Sequence, residues 1–226
     1  MGILFTKATK VSKKPYFDIA KYSQEVSLDV SKYPDLSKQL QLLKLTNEDL
    51  AIIKQLEPFA QEIIPNMVEQ FYEAISLSTE LTDIINNTSK IDRLKVTLSN
   101  HLESIFKGSI DSHYIEERQT IAHVHVRIGL KSKWYIASFQ SLITTFIEFI
   151  EKVDMSNSEM GKAVNAFSKI ISLEQQLVIE AYEKEEQRIR MENIELKIKL
   201  IDRIQNTAQE LYSISDETND SLQEIA

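Results

Sequence analysis

The chain has 226 residues, and its 26 Lys and Arg against 34 Asp and Glu give a formal net charge of −8. This length suits one domain or two small ones with a substantial core, while the acidic balance lacks the basic surface that nucleic acids and anionic membranes attract. The chain has no cysteine, which excludes disulfides and thiolate metal sites, and no apolar run has the length of a membrane span. We therefore expect a cytoplasmic protein with no nucleic-acid partner.

Helix is the expected conformation almost throughout. Glycine and proline are scarce, at four residues each, and no proline follows Pro65, so breaks in helices are few. Residues 1–35 contain Pro15 and Pro34 and show little sustained periodicity. We interpret them as an N-terminal extension that is mobile or loosely docked.

From Leu36 onward, apolar residues recur at helical spacing. Thr46 with Asp49, and Ser89 with Asp92, are the side-chain types of a capping box at a helix start. The predicted helices cover residues 47–56, 60–77, 79–86, 90–107, 112–128, 132–153 and 156 onward.

Two glycines and one proline mark boundaries in this pattern. Gly108 and Gly129 stand where the fourth and fifth predicted helices end, as glycine often does. Pro65 falls either inside the second helix or in its first turn, and only the first turn tolerates proline cheaply. The pattern leaves both positions open.

The final segment differs from the rest because its apolar residues follow a seven-residue repeat from Ile194. One row of the repeat is Ile194, Ile201, Ala208, Ser215 and Leu222, and the other is Lys197, Ile204, Leu211, Thr218 and Ile225. Lys197, Ser215 and Thr218 weaken the seam. Such a repeat predicts a helix that pairs with a second copy of itself as a coiled coil.

The run IAHVHVRIGL at 121–130 holds two of the four histidines, spaced two residues apart. Residues at this spacing do not share a helix face. The three- and four-residue neighbours of His125 are apolar or small, whereas those of His123 are mostly polar. We predict that His125 faces the interior and that His123 faces solvent or a rim.

A buried histidine of this kind is either a satisfied core residue or a metal ligand through its neutral imidazole, and both interpretations stay open at this point. The small residues around His125 would let a flat macrocycle approach closely. Glu-x-x-His pairs, HExxH and glycine-rich phosphate loops are absent from the sequence. The parts of a di-iron bundle, a hydrolase or a nucleotide enzyme are therefore missing.

The run IAHVHVRIGL followed by KWYIASFQ resembles the proximal-helix signature of the globin-coupled sensors, and specifically of the haem-based aerotaxis transducers of Gram-positive bacteria. The same resemblance is carried by FYEAI (71–75), DIIN (83–86), DRLKVTL (92–98) and SLEQQLVIEAY (172–182), so that it covers roughly residues 36–185. It implies an all-α globin fold. Residues 36–188 would form the haem sensor domain and 189–226 a coiled-coil signalling linker without its output module.

The cofactor that the resemblance implies is haem b, iron protoporphyrin IX, with His125 as the proximal iron ligand. Tyr72 and Thr97 would lie on the distal side, where their hydroxyls can donate hydrogen bonds to dioxygen. Tyr135 corresponds to a proximal tyrosine that can bond the ligand histidine. The residues expected to line the haem are Phe71, Leu94 and Ile121.

The roles assigned to these site residues have alternatives in core packing and in the other histidines. Tyr72 could be an ordinary core tyrosine with a tied-down hydroxyl. His101 shares a face with Thr97 and is therefore a rival distal group or a second iron ligand. His113, with Glu116 and Glu117 on its face, is expected to be a solvated surface residue.

The resemblance implies an oxygen sensor rather than an enzyme, with CO or NO as further ligands. Oxygen binding would shift a homodimer whose four-helix interface comes from helices 132–153 and 156–190. The coiled coil would pass that shift to a chemotaxis histidine kinase and its coupling protein. The alternatives are a haem-free globin-like dimerisation or scaffold module of a stress-signalling complex, and a haem enzyme with His101 as its acid-base group.

Overall fold

The computed structural model describes residues 16–88 and 90–225. The helices of this part of the chain are α1 Ile19–Tyr22, α2 Pro34–Leu43, α3 Asn47–Gln55, α4 Ala60–Ser76, α5 Thr79–Thr88, α6 Ile91–Phe106, α7 Ser112–Arg127, α8 Ser132–Ile150 and α9 Asn157–Ile225. Two short strands, β1 Ser27–Leu28 and β2 Ser109–Ile110, pair in parallel. The chain divides into one compact unit up to Ile179 and another from Glu180.

The all-α architecture is confirmed, and each of the seven predicted helices is present within three residues of its expected bounds. The capping box at α3 forms as expected, because the backbone N–H of Thr46 donates to Oδ2 of Asp49 at 2.9 Å. The corresponding pair before α6 includes Ser89, which lies outside the described residues. Gly108 and Gly129 follow α6 and α7 with φ angles of 69° and 75°.

Pro65 lies inside α4 rather than in its first turn. A 3-10 turn, Glu57–Phe59, precedes α4, so the helix begins earlier than a proline at its first position would allow. Proline in this place removes one backbone donor from the helical ladder. Burial of Ile63, Ile64 and Met67 beside it supports the helix through this position.

Residues 16–35 are more ordered than the sequence predicts. Phe17 and Val30 are buried, and β1 pairs with β2 more than 80 residues later in the chain. Helix α2, which was not predicted as a separate element, begins at Pro34. Helix α1 and strand β1 are too short for a hydrophobic period, and β1 is held by its distant partner rather than by local preference. Helix α2 has ten residues and buries Leu36 and Leu40.

The core of the first unit is built by helices packed on helices. Helix α4 packs against α8 and α6. Phe106 of α6, Phe146 of α8 and Phe167 of α9 form an aromatic group, in which the rings of Phe146 and Phe167 stack with centroids 4.0 Å apart. This group fixes α6, on which Thr97 and His101 lie, against α8 and α9. No helix in the described ranges is both long and apolar enough to cross a membrane.

Candidate functional site

A cavity of about 180 Å³ lies among α4, α5, α6, α7 and α8, and its lining is largely apolar. The structure brings all seven residues predicted for the site to this one cavity. They are Phe71, Tyr72, Leu94, Thr97, Ile121, His125 and Tyr135. Four different helices supply them, so the cavity depends on the packing of α4 against α6 and α8.

Helix α7 holds His125 in a fixed position near its C-terminus. The backbone N–H of Leu130 donates to the carbonyl of His125 at 3.0 Å, and that of Gly129 donates to the carbonyl of Val126 at 2.9 Å. This pair of bonds is a Schellman motif, which needs the positive φ of Gly129. These bonds fix the end of α7 next to His125. His123 is exposed, as predicted from its polar neighbours on the helix.

The ring of His125 is neutral and largely buried. Burial lowers its pKa to about 4, reinforced by the charge on His101 and opposed by the backbone of Ile121 one turn earlier. Its Nδ1 is buried without a hydrogen bond of normal geometry. The Tyr135 ring meets it edge-on, with centroids 5.2 Å apart. A neutral imidazole in an apolar wall is suited to bind a metal ion.

Tyr72 and Thr97 differ in how free their hydroxyl groups are. Tyr72 is half-buried, and burial raises its pKa to about 12, so its hydroxyl stays protonated. That hydroxyl makes no hydrogen bond within the described part of the chain. Thr97 is exposed, and its Oγ1 donates to the backbone carbonyl of Arg93 at 3.0 Å. Of the two predicted donors, Tyr72 is therefore the one whose proton is available.

His101 lines the cavity, and the Nε2 of its ring is directed toward Glu174 of α9. Its Nε2 lies 3.1 Å from Oε2 of Glu174, without the alignment of a hydrogen bond. The Nε2 of His101 thus lies beside a buried carboxylate. His113 is exposed beside Glu117, with its Nε2 3.4 Å from Oε1, as expected for a solvated histidine.

One wall of the cavity is formed by residues that the sequence did not predict for the site. Helix α5 contributes Leu81 and Ile84, and the start of α8 contributes Trp134. The indole N–H of Trp134 donates to Oε2 of Glu80 at 3.1 Å, and Lys131 lies 2.7 Å from the same carboxylate. These hydrogen bonds lower the pKa of Glu80. Apolar spacing marks α5 as amphipathic but does not say what its apolar face covers.

A second, more polar cleft of about 850 Å³ lies between α6 and α7. It shares Thr97, His101 and Ile121 with the apolar cavity. Within residues 16–88 and 90–225, no group of three or more His, Asp or Glu side chains is arranged to hold a metal ion. A metal ion in the apolar cavity could therefore be held by His125 alone or by His125 together with His101, which lines the same cavity.

Helices that pack pairwise around an apolar cavity, with a histidine on the cavity wall, are typical of a globin fold. The family model for protoglobin matches residues 32–188. This chain belongs to the protoglobin family, and the globin fold expected from its motifs is confirmed.

Two relatives support this assignment. The haem-based aerotactic transducer of Halobacterium salinarum is 20% identical over 158 residues, which are 66% of this chain and 32% of the transducer. This chain thus spans about a third of that relative's length. The solved globin domain of a Geobacter sulfurreducens globin-coupled sensor matches with a TM-score of 0.61 and 23% identity, covering 65% of this chain and 96% of that one.

Proposed function

We propose that this chain is the haem-based oxygen-sensing portion of a signal transducer. The observation that carries the proposal is His125, a neutral, largely buried imidazole on the wall of an apolar cavity. Neutral imidazole is the form that binds iron. A single protein ligand is enough for haem, because the porphyrin supplies four nitrogens of its own.

The residues around His125 fit a haem b group. Phe71, Leu94 and Ile121 offer apolar contact surface, and Tyr135 packs edge-on against the His125 ring. The apolar cavity shares lining residues with the polar cleft between α6 and α7, so a planar amphipathic group inserted between these helices would have apolar and polar surroundings at its two ends. Ferrous haem supplies a site for reversible binding of dioxygen.

Tyr72 gives the site a basis for selecting among gases. Its free hydroxyl can donate a hydrogen bond to dioxygen. Bound dioxygen would carry partial negative charge, which a hydrogen-bond donor in an apolar pocket stabilises. Carbon monoxide is less polar and would gain less. Nitric oxide remains a further candidate ligand. The Thr97 hydroxyl can contribute only by giving up its bond to the Arg93 carbonyl.

The aerotactic role is supported by the similarity to the aerotactic transducer of Halobacterium salinarum, of which this chain spans about a third. In our proposal, ligand binding shifts a homodimer, and α9 carries the shift to an output that acts on a chemotaxis histidine kinase and its coupling protein. A ligand can bias such an equilibrium only by its difference in affinity for the two states. A cytoplasmic location and the lack of enzymatic activity remain predictions.

The proposal is tested by visible absorption spectra of the protein reconstituted with haem b, in the reduced state and then with oxygen or CO. We expect a Soret band that shifts reversibly with oxygen in the wild type. His125→Gly should lose this spectrum, and added imidazole should restore it, because the cavity left by the side chain can accept a free ligand. His123→Gly is the matched control, two residues away and exposed, and should behave as the wild type.

A protein that fails to bind haem on reconstitution would refute the proposal and favour the haem-free scaffold alternative. An unchanged spectrum in His125→Gly would show that another residue, with His101 as the first candidate, ligates the iron.

A further inference from the structure

Five polar side chains from three helices meet in the interior beside the apolar cavity. His101 and Ser104 come from α6, Tyr114 and Arg118 from α7, and Glu174 from α9. We call this set the Glu174 cluster. Its central carboxylate is fully buried, and Arg118 is 1% exposed, so solvent screens these two charges little.

Every partner of Glu174 in the cluster belongs to α6 or α7. The Arg118 Nε donates to Oε1 of Glu174 at 2.9 Å, and the Tyr114 hydroxyl donates to the same oxygen. Oε2 lies 3.1 Å from Nε2 of His101. Arg118 also donates to Oγ of Ser104 at 2.7 Å, and its guanidinium stacks 3.4 Å from the centroid of the Tyr114 ring. The carboxylate therefore ties both helices to α9.

The cluster is a strongly ionic one. Burial alone would raise the pKa of Glu174, but the charges of His101 and Arg118 and the hydrogen bond from Tyr114 lower it to about 2. The same contacts raise the pKa of Arg118. A buried charge that loses one partner is strongly destabilised, whereas a buried apolar contact can slide and repack at lower cost.

We infer that Glu174 is a positioning residue that couples both walls of the cavity to α9. This inference rests on the proposed haem site, because α7 carries His125 and α6 carries Thr97 and His101. A displacement of either helix on gas binding must move Glu174 with it or break a buried ionic contact. Helix α9 continues from Glu174 to Ile225, so it is the element through which such a displacement leaves the cavity.

A second ion pair on α9 provides a matched control. Lys169, five residues before Glu174, lies 2.8 Å from Oδ1 of Asp49 and also donates to the carbonyl of Lys44 at 2.8 Å. This pair ties α9 to the start of α3 and has no part in the lining of the cavity. Removing it loosens α9 without touching α6 or α7.

The test is hydrogen exchange of peptides from residues 163–178, measured by mass spectrometry on the haem-loaded full chain with and without CO. In the wild type we expect CO to change the exchange rate in this stretch at least about fivefold, the lower end of ordinary coupling between sites. Glu174→Gln should bind CO but lose this change. Lys169→Gln should exchange faster in both states and keep the change.

Glu174→Gln leaves Arg118 with only the partly exposed Glu117 as a counter-charge, so folding of the variant is at risk. A triple variant, Tyr114→Phe with Arg118→Met and Glu174→Met, replaces the cluster with apolar groups, which buried ionic sites often tolerate. It should fold, bind CO and show no CO-dependent change in α9.

A CO-dependent change that persists in either variant overturns the inference, as does a wild type whose Soret band shifts while α9 does not respond. A wild type whose spectrum ignores CO refutes the proposed haem function itself. That failure is visible in the spectrum before any exchange is measured.

Discussion

At the scale of single residues, the environment of His125 makes the stability of the haem-free protein depend on pH. Its pKa is about 4 in the folded protein and 6.5 in an unfolded chain. Above pH 6.5 both forms are neutral and the residue contributes nothing to this dependence. Between pH 6.5 and 4 the unfolded chain binds a proton that the folded protein does not, so stability falls as pH falls. The loss reaches up to about 3 kcal/mol at pH 4, from 2.5 pKa units.

Urea unfolding of the haem-free protein at several pH values between 7 and 4 measures this loss. His125→Gln cannot take up a proton and should flatten the curve in this range. His123→Gln, whose side chain is exposed, should leave the wild-type pH dependence intact. Parallel curves for the wild type and His125→Gln would contradict the prediction.

Tyr72 should control how long oxygen stays bound. A hydrogen bond to a charged acceptor contributes about 1.5–3 kcal/mol, so Tyr72→Phe should raise the oxygen dissociation rate about 10- to 100-fold. The CO dissociation rate should change far less, because CO carries little negative charge. Stopped-flow displacement of oxygen by CO measures the first rate, and displacement of CO by NO measures the second.

Thr97→Val is the comparison for Tyr72→Phe. The Thr97 hydroxyl already donates to the Arg93 carbonyl, so removing it should accelerate oxygen release less than removing the Tyr72 hydroxyl does. An effect of Thr97→Val as large as that of Tyr72→Phe would show that the threonine turns toward the ligand when the gas binds.

At the scale of elements, substitutions at three glycines distinguish the cost of backbone strain from the cost of steric collision. A Cβ at Gly108 would lie 2.8 Å from Cγ1 of Val26 and 3.2 Å from the carbonyl oxygen of Leu50, in a backbone with φ of 69°. Gly129 has a φ of 75° with open space around it, and Gly161 has open space in the helical interior of α9.

We expect Gly129→Ala to destabilise the protein by about 1–2 kcal/mol, the cost of a left-handed residue with a Cβ. Gly108→Ala should lower the free energy of unfolding more, because the added Cβ would also collide with the side chain of Val26 and the carbonyl oxygen of Leu50. Gly161→Ala should stabilise by about 0.5–1 kcal/mol through helix propensity. Urea unfolding of the three variants gives the order, and equal losses at Gly108 and Gly129 would show that Val26 moves aside.

The elements that the sequence predicted are those with long apolar periods. Helices α3 to α9 each carry such a period, and their caps and terminal glycines set the bounds. Helix α1 and strand β1 were missed because they have four and two residues, respectively. They are held in place by tertiary contacts, such as the backbone bond from Ser27 to the Gly108 carbonyl, that no local pattern contains.

The same distinction applies to the site. The face of α7 that carries His125 could be deduced from neighbours three and four residues away, and the family motifs supplied the other predicted residues. The Glu174 cluster could not be deduced in this way. Glu174 is 56 residues from Arg118 and 60 from Tyr114 along the chain, and no local pattern around a single carboxylate reveals partners at that distance.

At the scale of the whole molecule, the unit from Glu180 onward is the later part of α9, and its large apolar residues between Ile189 and Leu222 are exposed. Ile194, Ile201, Ile204 and Leu211 occupy the predicted seam and are each about half exposed or more. Ion pairs such as that of Arg188 with Glu185 support the helix locally, but a helix this long with exposed isoleucines needs a partner surface to bury them. A second copy of the same chain is the partner that the heptad repeat favours.

Ile204→Glu tests this pairing, with Leu196→Glu as its control. Both residues are exposed leucine or isoleucine in the same helix, but Ile204 lies in the seam and Leu196 does not. A charge in each copy of an apolar seam should raise the dimer dissociation constant at least tenfold, or about 1.4 kcal/mol, whereas Leu196→Glu should leave it unchanged. Sedimentation equilibrium measures both constants. Equal constants for the two variants would place the dimer contacts elsewhere, with α8 and the first half of α9 as the next surfaces to examine.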